Sequence, residues 1–485
     1  MLHQLNRIYL DQGDNLKQAY TGVYNFLKEY LTKGVYPFHM PGHKRSRQFL
    51  PPELLDMEVT EIPGADNLLE PRGIIKELEE RIALTFGAKF SFFMTNGSTG
   101  CLLSALMAAG NKGGHVVMAR NCHKSLYSAL VLSGLKPVYI FPEMTDINIA
   151  GGICPKALKK TLEANPGAAA VVITSPTYEG FVSDVKEIAG IAHSMHVPLI
   201  VDEAHGANFC FGDLLPDSAL LNGADIVVHS LHKQLPMLSQ TAALHLGETD
   251  YFEPGFIKSC VNLIQSTSPS YMQMAQVDYA LTQLLEDASI IKDYESLIAE
   301  FRVKFPREGA VRLFGEEYVG KHGIKDMDLS KFLFYADGAF SGRELDFILA
   351  DDYGIQVEMS GMSHVIAMTT PGDKREGFER LHKALCKINE RFAGETVITR
   401  NLTVPSLPQM GLMPREAFYA KTRQILLEDA AGQVSAEFII PYPPGIPLVA
   451  PGEVITREIL NYVKQCREKG VSVIGADEYI NTVEI

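Results

Sequence analysis

The stretch PLIVDEAHGANFCFGDLLPDSALLNGADIVVHSLHK, residues 198–233, decides the fold. Two short apolar runs, PLIVD (198–202) and ADIVVHS (224–230), are each followed by a polar cluster: Glu203-Ala204-His205-Gly206 in the first case, Leu231-His232-Lys233 in the second. Near-continuous apolar strands of this length belong to a sheet covered on both faces. The same pattern extends upstream and downstream in FSFFMT (90–95), HVVMA (115–119), VYIF (138–141), AAVVIT (169–174) and AALHL (242–246). Helical stretches fall between most of them, at 100–109, 124–133, 155–164 and 184–195. Seven strands alternating with helices predict an α/β fold with a mostly parallel, helix-flanked sheet over 36–305. A helical segment at 271–304 leads out of it. An N-terminal helical segment is expected over 1–35, with its helix at 14–31. A small α/β unit is expected over 306–393, with strands around 331–336 and 363–368 and a helix at 376–391. A linker over 394–412 and a Pro-dense C-terminal domain over 413–485 complete the chain.

The 485 residues carry 44 Lys+Arg against 58 Asp+Glu, a net charge of −14, with 46% hydrophobic and 21% charged residues. That composition excludes a disordered chain, a coiled coil and a collagen-like fibre. The acidic balance opposes binding to a nucleic-acid backbone, which needs a basic face. No run approaches the roughly 20 apolar residues of a membrane span, and the opening MLHQLNRIYLDQGDN lacks a signal-peptide core. The seven cysteines are scattered without a CxxC pair, so no metal and no disulfide framework is expected, and the compartment reads as cytoplasmic. Tryptophan is absent. A flat ligand, if stacked, must lie on another ring.

In such sheets ligands sit beyond the carboxyl ends of the strands, and four strand ends carry polar residues. Thr95-Asn96-Gly97-Ser98-Thr99-Gly100 joins a strand to a helix, offering two glycines, two hydroxyls and a helix N-terminus suited to phosphate. A capped turn would look the same. His123 follows HVVMA, where a histidine at a helix start is the commoner case. Asp202 ends a buried strand and needs a partner such as a protonated ring nitrogen; a cap or an ion pair would serve as well. Lys233 follows another buried strand, where low dielectric turns a lysine into a nucleophile, although an ordinary loop lysine is equally compatible. Taken in order, these are a phosphate cradle, a stacking ring, a buried acid and, 31 positions later (233 − 202), a lysine. They form the parts list for pyridoxal 5′-phosphate.

With these motifs, the sequence resembles the ornithine/lysine/arginine decarboxylases of fold type I, in the short form of Gram-positive bacteria. The resemblance rests on Pro41-Gly42-His43-Lys44, Asn96-Gly97-Ser98-Thr99-Gly100, Arg120-Asn121-Cys122-His123-Lys124-Ser125, Pro176-Thr177-Tyr178-Glu179-Gly180, Val201-Asp202-Glu203-Ala204-His205-Gly206, Ser230-Leu231-His232-Lys233 and the block from Pro441 to Glu453. It spans about residues 30–480. It implies that Lys233 carries the cofactor as a Schiff base, that Asp202 faces the pyridine nitrogen and that His123 stacks on the ring. It further implies that Ser98, Thr99, Ser230 and His232 bind phosphate, with Gly97, Thr177 and His205 also at the cofactor and His232 near the reacting carbon. An active site at a homodimer interface, or in a higher homo-oligomer, is implied too. Asn67 and Glu70 stand where the family more often has an acid and a histidine, and Glu179 stands where it commonly has an aromatic or small polar residue. The expected reaction is decarboxylation of a basic amino acid, arginine first, then lysine or ornithine, in polyamine biosynthesis. A carboxylate fork for the substrate's cationic end is sought in Asp66, Glu70 and Glu453. A fold-type-I aminotransferase is the alternative; it would need an arginine to grip the α-carboxylate.

Overall fold

The computed structural model describes residues 65–336, 340–394, 405–442, 445–468 and 471–484, together with Gly34, Tyr36–Phe38 and Gln48. The helix expected over 14–31, the Pro41-Gly42-His43-Lys44 motif, residues 395–404 of the linker and Pro443-Pro444 lie outside the described residues.

Seven strands form the principal sheet: β1 (Phe90–Met94), β2 (His115–Ala119), β3 (Lys136–Ile140), β4 (Val171–Thr174), β5 (Leu199–Asp202), β6 (Ile226–Ser230) and β7 (Ala242–Leu246). Their order is β1-β7-β6-β5-β4-β2-β3. Neighbours run parallel except β7, which is antiparallel to both β6 and β1. Every residue of β5, β6 and β7 is buried, which is why these strands read as unbroken apolar runs. Flanking helices include α1 (Ile74–Phe86), α2 (Gly97–Ala109), α3 (Lys124–Ser133) and α4 (Val185–Ser194).

Several polar residues in and beside these strands satisfy one another. His229 on β6 contacts Glu203 Oε2 at 2.7 Å and His245 on β7 at 3.1 Å, and His245 reaches Ser91 Oγ on β1 at 2.7 Å. Four buried polar groups are thereby paired across neighbouring strands.

The segment expected as one helix over 271–304 is two, α5 (Tyr271–Glu286) and α6 (Ala288–Lys304). Asp287 separates them, its side chain accepting from the Ser289 amide as the N-cap of α6. Tyr294, Ile298 and Phe301 of α6 pack with Phe332, Phe334 and Phe378 into the core of the small unit. The sheet of that unit is antiparallel, ordered Val311–Phe314, Lys331–Ala336, His364–Met368, Met359–Ser360. Tyr36–Phe38 pairs parallel with Ile355–Val357, so this early segment joins the small unit and not the large sheet.

The C-terminal block has its own apolar core, including Ile439, Ile459, Val463 and Ile480. It is tied to the large unit by Arg120, one residue beyond β2. The guanidinium donates to the carbonyls of Pro447 at 2.7 Å and Leu448 at 3.2 Å, and pairs with Glu453 at 3.2 Å. Glu453 is 1% exposed. Among the described residues, no helix is long and apolar enough to cross a membrane, and no group of three His, Cys, Asp or Glu could hold a metal ion.

Removing one partner of a buried ion pair leaves an uncompensated charge, at a cost of about 3–5 kcal/mol. Glu453→Ala is therefore expected to lower the thermal midpoint clearly, read by circular dichroism. An unchanged midpoint would remove Arg120–Glu453 as the anchor of the C-terminal block.

Candidate active site

The carboxyl ends of β2, β4, β5 and β6 and the start of α2 surround a cavity of about 250 Å³. Ser98, His123, Thr177, Asp202, His205 and Lys233 all line it. The parallel register brings the strand ends together: Asp202 is level with Thr174 on one side and, on the other, with Val228, two residues before β6 ends.

Lys233 lies on the single helical turn Leu231–Gln234 that follows β6 directly. Its Nζ is 3.0 Å from His205 Nε2. Burial lowers its pKa, while Asp202 and Glu358 pull it back up. The same burial raises Asp202 to about 6, against the attraction of Lys233 and the Ala204 amide, which donates to Oδ1 at 3.2 Å. His205 is held well below the ordinary histidine range by burial and then by the charge of Lys233. His123, the N-cap of α3, accepts from the Ser125 amide. It lies at the edge of the cavity with part of its surface open. Desolvation of the ring, then the charges of Lys233 and Lys124, lowers its pKa to about 4.

At the other end, Ser230 Oγ donates to Ser98 Oγ at 2.7 Å. This contact joins the end of β6 to the first turn of α2. Gly97 adopts φ +71°, a conformation open to glycine, and its amide donates to the Gln240 carbonyl at 2.9 Å. The helix-terminal amides left for an anion are thus those after Gly97. Thr99 is exposed on that turn and is not among the cavity-lining residues. His232 also stands outside the lining; its Nδ1 contacts the Thr241 carbonyl at 3.0 Å, which leaves Nε2 as the other ring nitrogen. Burial, opposed by that carbonyl, brings His232 to about 4.

The residues fit pyridoxal phosphate. Three buried polar atoms on cavity-lining residues, Asn121 Oδ1, Thr174 Oγ1 and His205 Nδ1, have no hydrogen-bond partner among the described residues. Buried polar atoms of this kind ask for a polar ligand. An acid suited to a pyridinium, a buried lysine and a helix N-terminus with paired hydroxyls complete the set.

The three carboxylates considered for the substrate are not brought to this cavity in their own chain. Asp66 accepts from the amides of Arg72, Gly73 and Ile75 and so organises the start of α1. Glu70 pairs with Arg72 at the surface. Glu453 pairs with Arg120 and accepts from the Ala450 amide at 2.8 Å. Two other carboxylates do line the cavity, Glu179 and Glu358, along with Tyr178 and Ile446. Glu179 lies in the Tyr178-Glu179-Gly180 motif, whose position after β4 was the available signal. Glu358 comes from the small unit, far from any large-sheet strand end, and nothing local marks it.

Compared with known families, residues 21–327 match the major domain of the Orn/Lys/Arg decarboxylases and residues 397–485 match their C-terminal domain. The chain belongs to this family. Among relatives of the decarboxylase, the arginine decarboxylase of Bacillus subtilis is 33% identical over 475 residues, covering 96% of this chain and 97% of the other. The constitutive lysine decarboxylase of Escherichia coli is 25% identical, covering 93% of this chain and 77% of that one. The crystal structure of a Francisella novicida lysine decarboxylase superimposes with a TM-score of 0.76 at 20% identity, over 98% of this chain and 79% of that one. That likeness establishes the fold-type-I arrangement of the decarboxylase.

Lys233→Ala is expected to abolish the absorbance near about 420 nm that a lysine-bound pyridoxal chromophore gives on reconstitution. A retained band would remove Lys233 from its assigned place.

Proposed function

We propose that this protein removes the α-carboxylate of a basic L-amino acid as carbon dioxide, using pyridoxal phosphate, with arginine as first substrate and agmatine as product, and lysine or ornithine next. The observation that carries the reading is the placement of a buried lysine beside a buried acid in a cavity whose described lining holds one cation, Lys233, and three carboxylates, Glu179, Asp202 and Glu358. When bound, pyridoxal phosphate supplies the electron sink for the pair left behind by carbon dioxide.

The chain's own groups do the rest. Lys233, its proton loosened by burial, is the amine that holds the cofactor and yields to substrate. Asp202 keeps a proton on the ring nitrogen through opposite charge. His123 covers one face of the ring. Ser98 and Ser230 present hydroxyls at the phosphate end, with the amides of the α2 terminus behind them; Gly97, Thr99, Thr177 and His232 belong to the same proposed set. The Nε2 of His232 or the Nζ of Lys233 returns a proton to Cα. Leu102, Ala150, Ala204 and Ile446 make part of the wall apolar, a setting in which a carboxylate is poorly solvated and its loss is favoured.

An aminotransferase would instead hold that carboxylate with an arginine, and none lines the cavity among the described residues. The reading includes a cytoplasmic homodimer or higher homo-oligomer serving polyamine biosynthesis, and a division of the chain into a cofactor domain over 36–305, a small domain over 306–393 and a C-terminal domain over 413–485, with Tyr36–Phe38 and α6 packing on the small unit.

The test is incubation of the purified protein with pyridoxal phosphate and arginine, lysine or ornithine separately, measuring agmatine, cadaverine and putrescine. Agmatine is expected to form fastest. Formation of none, or of a keto acid in place of carbon dioxide, would overturn the proposal.

A further inference from the structure

Lys233 sits on a turn that its backbone alone holds weakly. Leu231–Gln234 is a single turn, closed by the Leu235 amide on the Leu231 carbonyl at 3.0 Å, and Pro236 follows at once. One turn fixes several dihedrals for one hydrogen bond, an unfavourable exchange without help from side chains. Gln234, the last residue of the turn and fully buried, supplies such help. Its Nε2 donates to Asp328 Oδ2 at 2.9 Å, to the His205 carbonyl at 3.2 Å and to Ser330 Oγ at 3.3 Å.

The His205 contact closes a ring. Lys233 Nζ stands 3.0 Å from the His205 imidazole, while the neighbouring Gln234 holds the backbone of the same residue. A lysine side chain is long and flexible. Where its Nζ stands depends on how the backbone beneath it and the residue it touches are set, and Gln234 sets both. The Asp328 contact carries the ring into the small unit. Ser330 donates its amide and its hydroxyl to Asp328 Oδ1, at 3.0 and 2.5 Å, and Oδ2 accepts from Gln234. The Asp328 amide donates to the Gly180 carbonyl at 2.8 Å, so Asp328 is itself fixed to the loop after β4.

The orientation of the amide follows from its partners. The His205 carbonyl and the Asp328 carboxylate both accept, so Nε2 must face them and Oε1 must turn away. Oε1 is left buried without a hydrogen-bond partner among the described residues. An unmet buried acceptor costs stability, and it is tolerated here where the donor end of the same side chain has a place to fill.

Resting on the functional reading above, we infer that Gln234 is a positioning residue for the decarboxylation: its amide ties the backbone of His205 to the turn that bears Lys233, and both to Asp328, and so fixes where the Lys233 Nζ stands.

The test uses the reconstituted full chain with Gln234→Met, which keeps length and bulk without a donor, and Gln234→Glu, which keeps the shape and presents acceptors where a donor is needed. Ser330→Ala is the control, since it loosens the same network and leaves the Gln234–His205 bond in place. For both Gln234 variants, kcat is expected to fall about 10-fold or more while KM changes less than about 2-fold. The visible circular dichroism of the bound cofactor, which reads how the ring is held, should weaken with it. Ser330→Ala should lower the thermal midpoint and leave kcat and the visible signal near wild type. Unaltered kcat and visible signal in Gln234→Met, at any thermal midpoint, would overturn the inference. So would a loss carried by KM alone, or an equal loss of kcat and visible signal in Ser330→Ala, which would reduce Gln234 to packing. If Gln234→Met does not fold, Gln234→Glu decides by the same readings. A wild type that takes up no cofactor, or decarboxylates none of the three amino acids, would instead sink the functional reading, and this inference with it.

Discussion

An ammonium and a carboxylate withdrawn from water into one cavity set the terms for the rest of the molecule. Burial makes Lys233 easier to deprotonate and Asp202 harder to ionise, and each moderates the other. Such a pair is stable only if the backbone delivers both groups to the same place and neighbouring dipoles meet what charge is left. The parallel pairing of β5 and β6 does the delivering. Because parallel strands end on the same side, the residues that follow them gather there without a long loop. The α2 terminus and the Ser98–Ser230 contact close the opposite end of the cavity. Behind the site, the Glu203–His229–His245–Ser91 chain lets polar side chains occupy the sheet interior.

The fold was largely readable from the sequence because sheets covered on both faces demand runs of apolar residues. β2 and β7 have the bounds of the HVVMA and AALHL runs, and α3 the bounds of its predicted helix. The break at Asp287 was not readable, since the apolar positions of α5 and α6 continue the same periodicity across it. Nor was the partner of Tyr36–Phe38, for pairing across the chain leaves no local pattern. The site divides the same way. Residues at the ends of large-sheet strands could be proposed from chain order, whereas Glu358 and Ile446 reach the cavity only because other units dock there. Asp66 illustrates the converse. A carboxylate near a helix start is the same letter whether it binds a ligand or caps the backbone, and here the amides of Arg72, Gly73 and Ile75 claim it.

Family membership and geometry meet at the small unit. Gln234, next to Lys233, donates to Asp328 at 2.9 Å, and Lys331, three residues further on, holds the Thr177–Tyr178 carbonyls. The small unit thereby touches both the lysine-bearing turn and the loop on the facing wall. A change in its packing would be felt on either side of the cavity, which is a reason for a second unit in an enzyme whose buried Lys233 and Asp202 both belong to the first.

The strand Tyr36–Phe38 has a bearing on biogenesis. Its register partner for Tyr36 is Ile355, 319 positions away (355 − 36). On the ribosome this segment emerges early, yet its partner strand is made only after the whole large sheet. Contacts of such separation form late and slow the search for the native state. Phe38, fully buried in the finished protein, is therefore an exposed apolar side chain for most of the chain's synthesis, at a point where chaperones have reason to bind.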